Sequence, residues 1–131
     1  MITYHKNNKN IPIDQFNSLL KNTLDRRPVN QNQLLQSMID HSNILMSAWD
    51  DKELIGLCRG FTDFAYVSYI SDLAVLPIFQ KKGIGKQLLN MTRDFSGPHC
   101  KLVLLSSENA NSYYNYLGFT PHNRAWVHEA D

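Results

Sequence analysis

The chain has 131 residues, 43% of them hydrophobic, with 13 Lys and Arg against 12 Asp and Glu and a formal charge of +1. This suits a single domain over residues 1–131 and excludes a disordered chain. The even charge excludes a dedicated nucleic-acid binder, which would carry a basic excess, so positive charge that matters here is local.

The first segment, MITYH, alternates and predicts a short strand. It lacks a basic head before an apolar stretch, so it does not read as a signal peptide. No apolar run approaches the roughly 20 residues needed to span a membrane. The reading is a soluble, cytoplasmic protein with no membrane partner. Pro12 sits where a first helical turn tolerates it, and Ile13, Phe16, Leu19 and Leu20 follow at helical spacing. Pro28 disfavours helix at Arg27, and Leu34, Leu35, Met38 and Ile39 make a second helical stripe. NILMSAW, the polar turn DDKE and LIGLCRGF predict a strand, a hairpin and a strand, and AYVSYISDLAV a third strand ending at Pro77.

Ile84, Leu88, Met91, Thr92 and Phe95 keep helical spacing until Gly97 and Pro98. KLVLL reads as a strand covered on both faces. Ala110, Tyr113, Tyr114 and Leu117 predict a helix stopped by Gly118, and RAWVHEA a last strand. The order β-α-α-β-β-β-α-β-α-β is α+β. It implies a mixed, mostly antiparallel twisted sheet, with a right-handed βαβ crossover over residues 69–75, 84–95 and 101–105.

Cys58 and Cys100 belong to no C-x-x-C pair and read as buried thiols in a reducing compartment. The histidines at 5, 41, 99, 122 and 128 lack metal-ligand spacing, so no metal is expected. Tyr4, Trp49 and Trp126 read as packing residues.

The stretch FQKKGIGKQLL, residues 79–89, concentrates glycine and lysine where a helix begins. Unpaired N–H groups and the helix dipole make such a terminus an anion site, and glycines admit a ligand close to the backbone. Lys81, Lys82 and Lys86 add positive charge. A Walker A loop fails, because Gln87 follows Lys86 and Gln80 stands where glycine is needed. A dinucleotide fingerprint fails because its third glycine is Leu88. The pattern Q/R-x-x-G-x-G/A is matched in full by Gln80 to Gly85.

With that loop, the preceding YISDLAVLP and the later YYNYLGF, the chain resembles the GCN5-related N-acetyltransferase (GNAT) family over about residues 43–119. The resemblance implies a GNAT-like sheet with helices on both faces, acetyl-CoA as co-substrate, no metal, and direct attack by an acceptor amine on a small molecule or peptide. It assigns pyrophosphate binding to the backbone of Lys81, Lys82, Gly83, Ile84, Gly85, Lys86 and Gln87, opened by Gln80. The main chain of Leu73, Ala74 and Val75 would hold the pantetheine arm. Tyr114, four residues before Gly118, matches the family's general acid. Asp72 is a candidate base; a water chain would serve equally, and the other role for Asp72 is a structural carboxylate paired with an arginine such as Arg59. Glu108 is a weaker base candidate. Asn109 is placed for a polar contact to CoA, although Ser107 stands where the family often has asparagine. Arg26 and Arg27 lie where the acceptor site forms in that family, either facing an acidic part of the substrate or solvated. Homodimerisation is common in the family, and AWVHEA offers a strand edge for it. The alternatives are a non-catalytic acyl-CoA binding or sensing module, and a regulatory partner protein with a vestigial site.

Overall fold

A computed structural model describes residues 1–107 and 110–130, the side chain of Asn111 excepted. Strands β1 (Ile2–Lys6), β2 (Ile44–Asp50), β3 (Glu53–Thr62), β4 (Val67–Val75) and β5 (Lys101–Leu104) lie in the sheet in chain order. The first three pairings are antiparallel and β4 with β5 is parallel. Helices α1 (Ile13–Thr23) and α2 (Asn32–His41) cover one face of the sheet, and α3 (Ile84–Ser96) the other. A shorter α4 (Asn111–Tyr116) follows β5.

The apolar stripes explain this layering. Phe16, Leu19 and Leu20 of α1 and Leu35 and Ile39 of α2 pack on Leu45 and Leu57 of the sheet. Leu34, expected in the same stripe, is instead exposed. Ile84, Leu88 and Leu89 of α3 pack on Ile44, Met46, Ile55 and Ile70. Helix α3 starts at Gly83, whose φ of +81° suits a residue without Cβ, and stops at Gly97, φ +97°.

One irregularity sets the faces of β4. Arg59 pairs with Asp72 but Gly60 pairs with Ile70, so Ser71 is an extra residue, a β-bulge. Ile70 packs on the α3 side, and beyond the bulge Leu73 and Val75 do so too. Ala74 joins the α1–α2 core instead. Asp72 turns to that same side and meets arginines there.

Two expectations need correction. β5 is not covered on both faces. It is an edge strand in which Lys101 and Val103 are exposed while Leu102 and Leu104 are half-buried. RAWVHEA forms no strand: residues 120–130 are exposed throughout, and Trp126, expected to pack, is 92% exposed. A strand residue needs a ladder partner, and among the described residues that segment has none. Cys58 and Cys100 are buried and unpaired, as read from their spacing.

Candidate active site

The parallel ladder joining β4 to β5 runs from Val67–Lys101 to Ile70–Leu104 and ends, while β4 continues to Val75. Five residues of β4 therefore lie past the last β5 pair. The Leu76 N–H bonds Ile55 O at 2.9 Å, so residue 76 faces β3. Backbone direction alternates along a strand, so the main-chain groups of Val75 and Leu73 face the opposite way, into the opening beside β5. Ala74, by the same alternation, turns its main chain to β3, where it pairs with Leu57. Of the three residues expected to offer backbone to a pantetheine arm, two face the opening.

The glycine loop stands beyond the end of β4. A single 3₁₀ turn, Pro77–Phe79, leads into it. The Gln80 side chain donates from Nε2 to Val75 O at 2.9 Å, tying the loop to the strand. Lys81 holds a positive φ of 63°, and Gln87 N–H bonds Gly83 O at 3.0 Å as α3 begins. Lys81, Lys82 and Lys86 are exposed, and Lys82 Nζ lies 5.7 Å from the centre of the Phe79 ring. The first amides of α3 carry the positive end of the helix dipole, and three exposed lysines stand within the same short stretch of chain, a combination suited to phosphate.

The tyrosines of α4 separate into three environments. Tyr116 is in solvent at 83% exposure. The Tyr113 hydroxyl lies above Gly85. Tyr114 is half-buried, its ring 5.4 Å from that of Tyr113 and 5.6 Å from that of Phe119. Burial pushes the Tyr114 phenol up to about 12; Tyr113 and Cys58 add to this and the Arg27 guanidinium opposes it. At neutral pH Tyr114 is a proton-bearing donor.

Asp72 is buried, with one oxygen on Arg59 Nε at 2.5 Å and the other on Arg27 Nε at 2.8 Å. Arg59 also reaches Ser42 Oγ at 3.1 Å and Ser71 Oγ at 3.0 Å. Arg27 reaches Ser71 O and Asp25 O, both at 2.7 Å. Both carboxylate oxygens are thus engaged by guanidinium groups. The cluster ties the α1–α2 loop to the bulge, and Arg27 serves it rather than standing solvated. The sequence signal for Arg27 was its place in the RRP turn; its pairing with Asp72 depends on a bulge that no spacing announces. Asn109 and Glu108 lie outside the described residues. Among the described residues no cluster of three or more His, Cys, Asp or Glu could hold a metal ion, and no helix is long and apolar enough to cross a membrane.

Residues 14–129 match the family model described as the acetyltransferase (GNAT) domain. No curated protein matches the chain. Among solved structures, a meticillin-resistant Staphylococcus aureus protein described as a probable acetyltransferase superposes with a TM-score of 0.82 at 18% identity, covering 100% of this chain and 99% of that one. A GNAT-family acetyltransferase from Streptococcus pneumoniae gives 0.74 at 22% identity, over 99% and 100% of the two chains. An aminoglycoside N-acetyltransferase in complex with CoA gives 0.74 at 19%, over 99% and 95%. At these identities the likeness speaks to the fold.

Proposed function

The chain belongs to the acetyltransferase (GNAT) domain family, with acetyl transfer as its activity, and from that premise we propose that it moves the acetyl group of acetyl-CoA to a primary amine of a small molecule or peptide by direct attack. The observation that carries this reading is the parting of β4 from β5 beside the N-terminus of α3. A phosphate grip and an open strand edge lie next to each other, as a ligand with a pyrophosphate head and an amide-bearing arm requires. Bound there, acetyl-CoA supplies a thioester and a thiolate leaving group.

The residues divide the work. The amides from Lys81 to Lys86 grip phosphate, Gln87 closes the first turn of α3 with its N–H on Gly83 O, and Gln80 fixes the loop to β4. Leu73 directs N–H and C=O into the opening, where an N–H donor stabilises charge that develops on a carbonyl oxygen. Tyr114 holds a proton at its hydroxyl for the departing sulfur. Asp72, engaged by Arg59 and Arg27, acts as a positioning residue that fixes the bulge, and the amine loses its proton through water. Tyr114 favours an enzyme over a module that only binds acyl-CoA, since binding alone needs no acid there.

The test is thermal unfolding with acetyl-CoA, with NAD and ATP as controls. At one hundred times the dissociation constant, stabilisation should be about 2.7 kcal/mol, a rise of about 10 °C. Absence of any shift at millimolar ligand overturns the reading. A shift would be followed by thiol release against a panel of amines. Amino sugars belong in it, because structural neighbours are named as aminoglycoside acetyltransferases.

A further inference from the structure

Across β3, β4 and β5 the register sets Phe61 beside Tyr69 and Tyr69 beside Val103. The three side chains form one row on the face of the sheet away from α3, since the neighbouring Ile70, Leu102 and Leu104 pack on the α3 side. The helices of the row's own face, α1 and α2, pack farther along, over the Leu57–Ala74 pair. They leave the row open, with Phe61 at 43%, Tyr69 at 38% and Val103 at 40% exposure. Leu105, also exposed, stands one residue past the last β5 pair and extends this apolar floor to the opening where β4 and β5 part. From Tyr69 to the bulge at Ser71 is about 7 Å, two residues of strand rise.

The charges beside the floor are positive. The Arg59 guanidinium lies over the Phe61 ring, 5.9 Å from its centre. Arg27 joins Arg59 at the bulge. Lys101, two residues before Val103, closes the other end. The nearby acids on β4 and in the β3–β4 turn are engaged. Asp72 is held by both guanidinium groups, and Asp63 accepts the backbone N–H groups of Ala65, Tyr66 and Val67. In the loop between α1 and α2, Asp25 is followed by Arg26 and Arg27, so that loop is net positive. Such surroundings repel an additional ammonium group, and they favour the neutral form of an amine, which is the form that attacks a thioester.

We propose that the acceptor is a monoamine on an aromatic or other flat apolar body. The body lies on Tyr69 and Val103 and carries its nitrogen past Leu105 to the opening. Polyamines and amino sugars are poor acceptors here, because their further ammonium or hydroxyl groups would lose water against this floor without gaining a partner. This names the acceptor class for the acetyl-transfer reading above and rests on that reading.

With the full chain and saturating acetyl-CoA, kcat/KM for phenylethylamine should exceed that for spermidine and for glucosamine by about 10-fold or more, the worth of burying one ring. Tyr69→Ser should raise the KM for phenylethylamine by a similar factor while kcat and acetyl-CoA affinity hold. Val103→Glu should shift preference toward spermidine by giving the floor a carboxylate. Both positions are on the surface, and circular dichroism checks that each variant folds. A chain that binds acetyl-CoA but uses spermidine or glucosamine as well as phenylethylamine would overturn this proposal and leave the transfer reading standing. So would a Tyr69→Ser chain that keeps its KM; if only its sedimentation changed, the row would belong to contact between copies. Failure to bind acetyl-CoA at all would overturn the transfer reading and this inference with it.

Discussion

The Tyr113 hydroxyl stands where Gly85 leaves room for it: a β-carbon on Gly85 would come within 2.5 Å of that oxygen. The obstacle is the far end of one side chain on the short helix α4, which can swing away. The expected outcome for Gly85→Val is therefore a folded protein that has lost its ligand space, since the new methyls stand over the first turn of α3. Calorimetric titration should show acetyl-CoA affinity reduced at least 10-fold, with the circular dichroism spectrum retained. An unchanged dissociation constant would remove the loop from the binding site.

Tyr114→Phe tests the acid directly. Turnover should fall about 100-fold, within the usual range for a positioned acid, while acetyl-CoA affinity holds. An equal loss in both would make Tyr114 a packing residue.

The raised phenol of Tyr114 also sets a pH dependence. An unfolded tyrosine releases its proton near 10, whereas the folded one keeps it to about 12. Between those values the folded state binds more protons than the unfolded state, so stability falls as pH rises through this window. The Phe variant should lose that part of the alkaline slope in chemical denaturation measured from pH 9 to 12. In the wild type, Tyr114 should impose no falling limb on activity below pH 10.

Asp72→Ala removes the partner of two guanidinium groups, one of them buried, and should cost about 3 kcal/mol in urea unfolding. Replacing both charges, as in Asp72→Leu with Arg59→Met, should recover much of that loss, because well-packed apolar groups can stand in for a buried ion pair. A general base would behave differently: Asp72→Asn would abolish the acidic limb of the rate profile with little change in stability.

Cys58 is fully buried on β3, accepts a hydrogen bond from Thr92 Oγ1 at 3.3 Å, and has its thiol pushed up to about 12 by burial. Cys100 is buried as well. Neither should react with a disulfide reagent until the protein unfolds, when two thiols per chain should appear. A native chain that titrates at once would show an opening the packing does not predict.

The strands, the helices and the glycine loop were legible because each rests on local chemistry: periodicity for α1 and α3, glycine at the ends of α3, and a polar turn between β2 and β3. Tyr114 is singled out in the sequence by its distance from Gly118, and the structure sets it half-buried beside Tyr113 and Phe119. What was not legible depends on partners far along the chain. KLVLL has the composition of a central strand, yet β5 sits at the edge because no strand among the described residues pairs with its outer side. RAWVHEA is strand-forming in composition and stays unpaired for the same reason. Arg27 joins Asp72 across 45 positions, and that contact is created by the bulge at Ser71, which leaves no trace in residue spacing.

That bulge works as a change of reading frame within one strand. Before Ser71, even-numbered residues of β4 face α3; after it, odd-numbered ones do. Deleting Ser71 would close the bulge and leave Asp72, Leu73 and Ala74 on the faces they hold now, because Ile70 and Asp72 already lie on opposite faces. What would be lost is the grip of Ser71 on Arg59 and Arg27. A residue inserted or removed elsewhere in β4 would instead turn everything beyond it to the wrong face, so position 71 is where this strand can best bear a change of length.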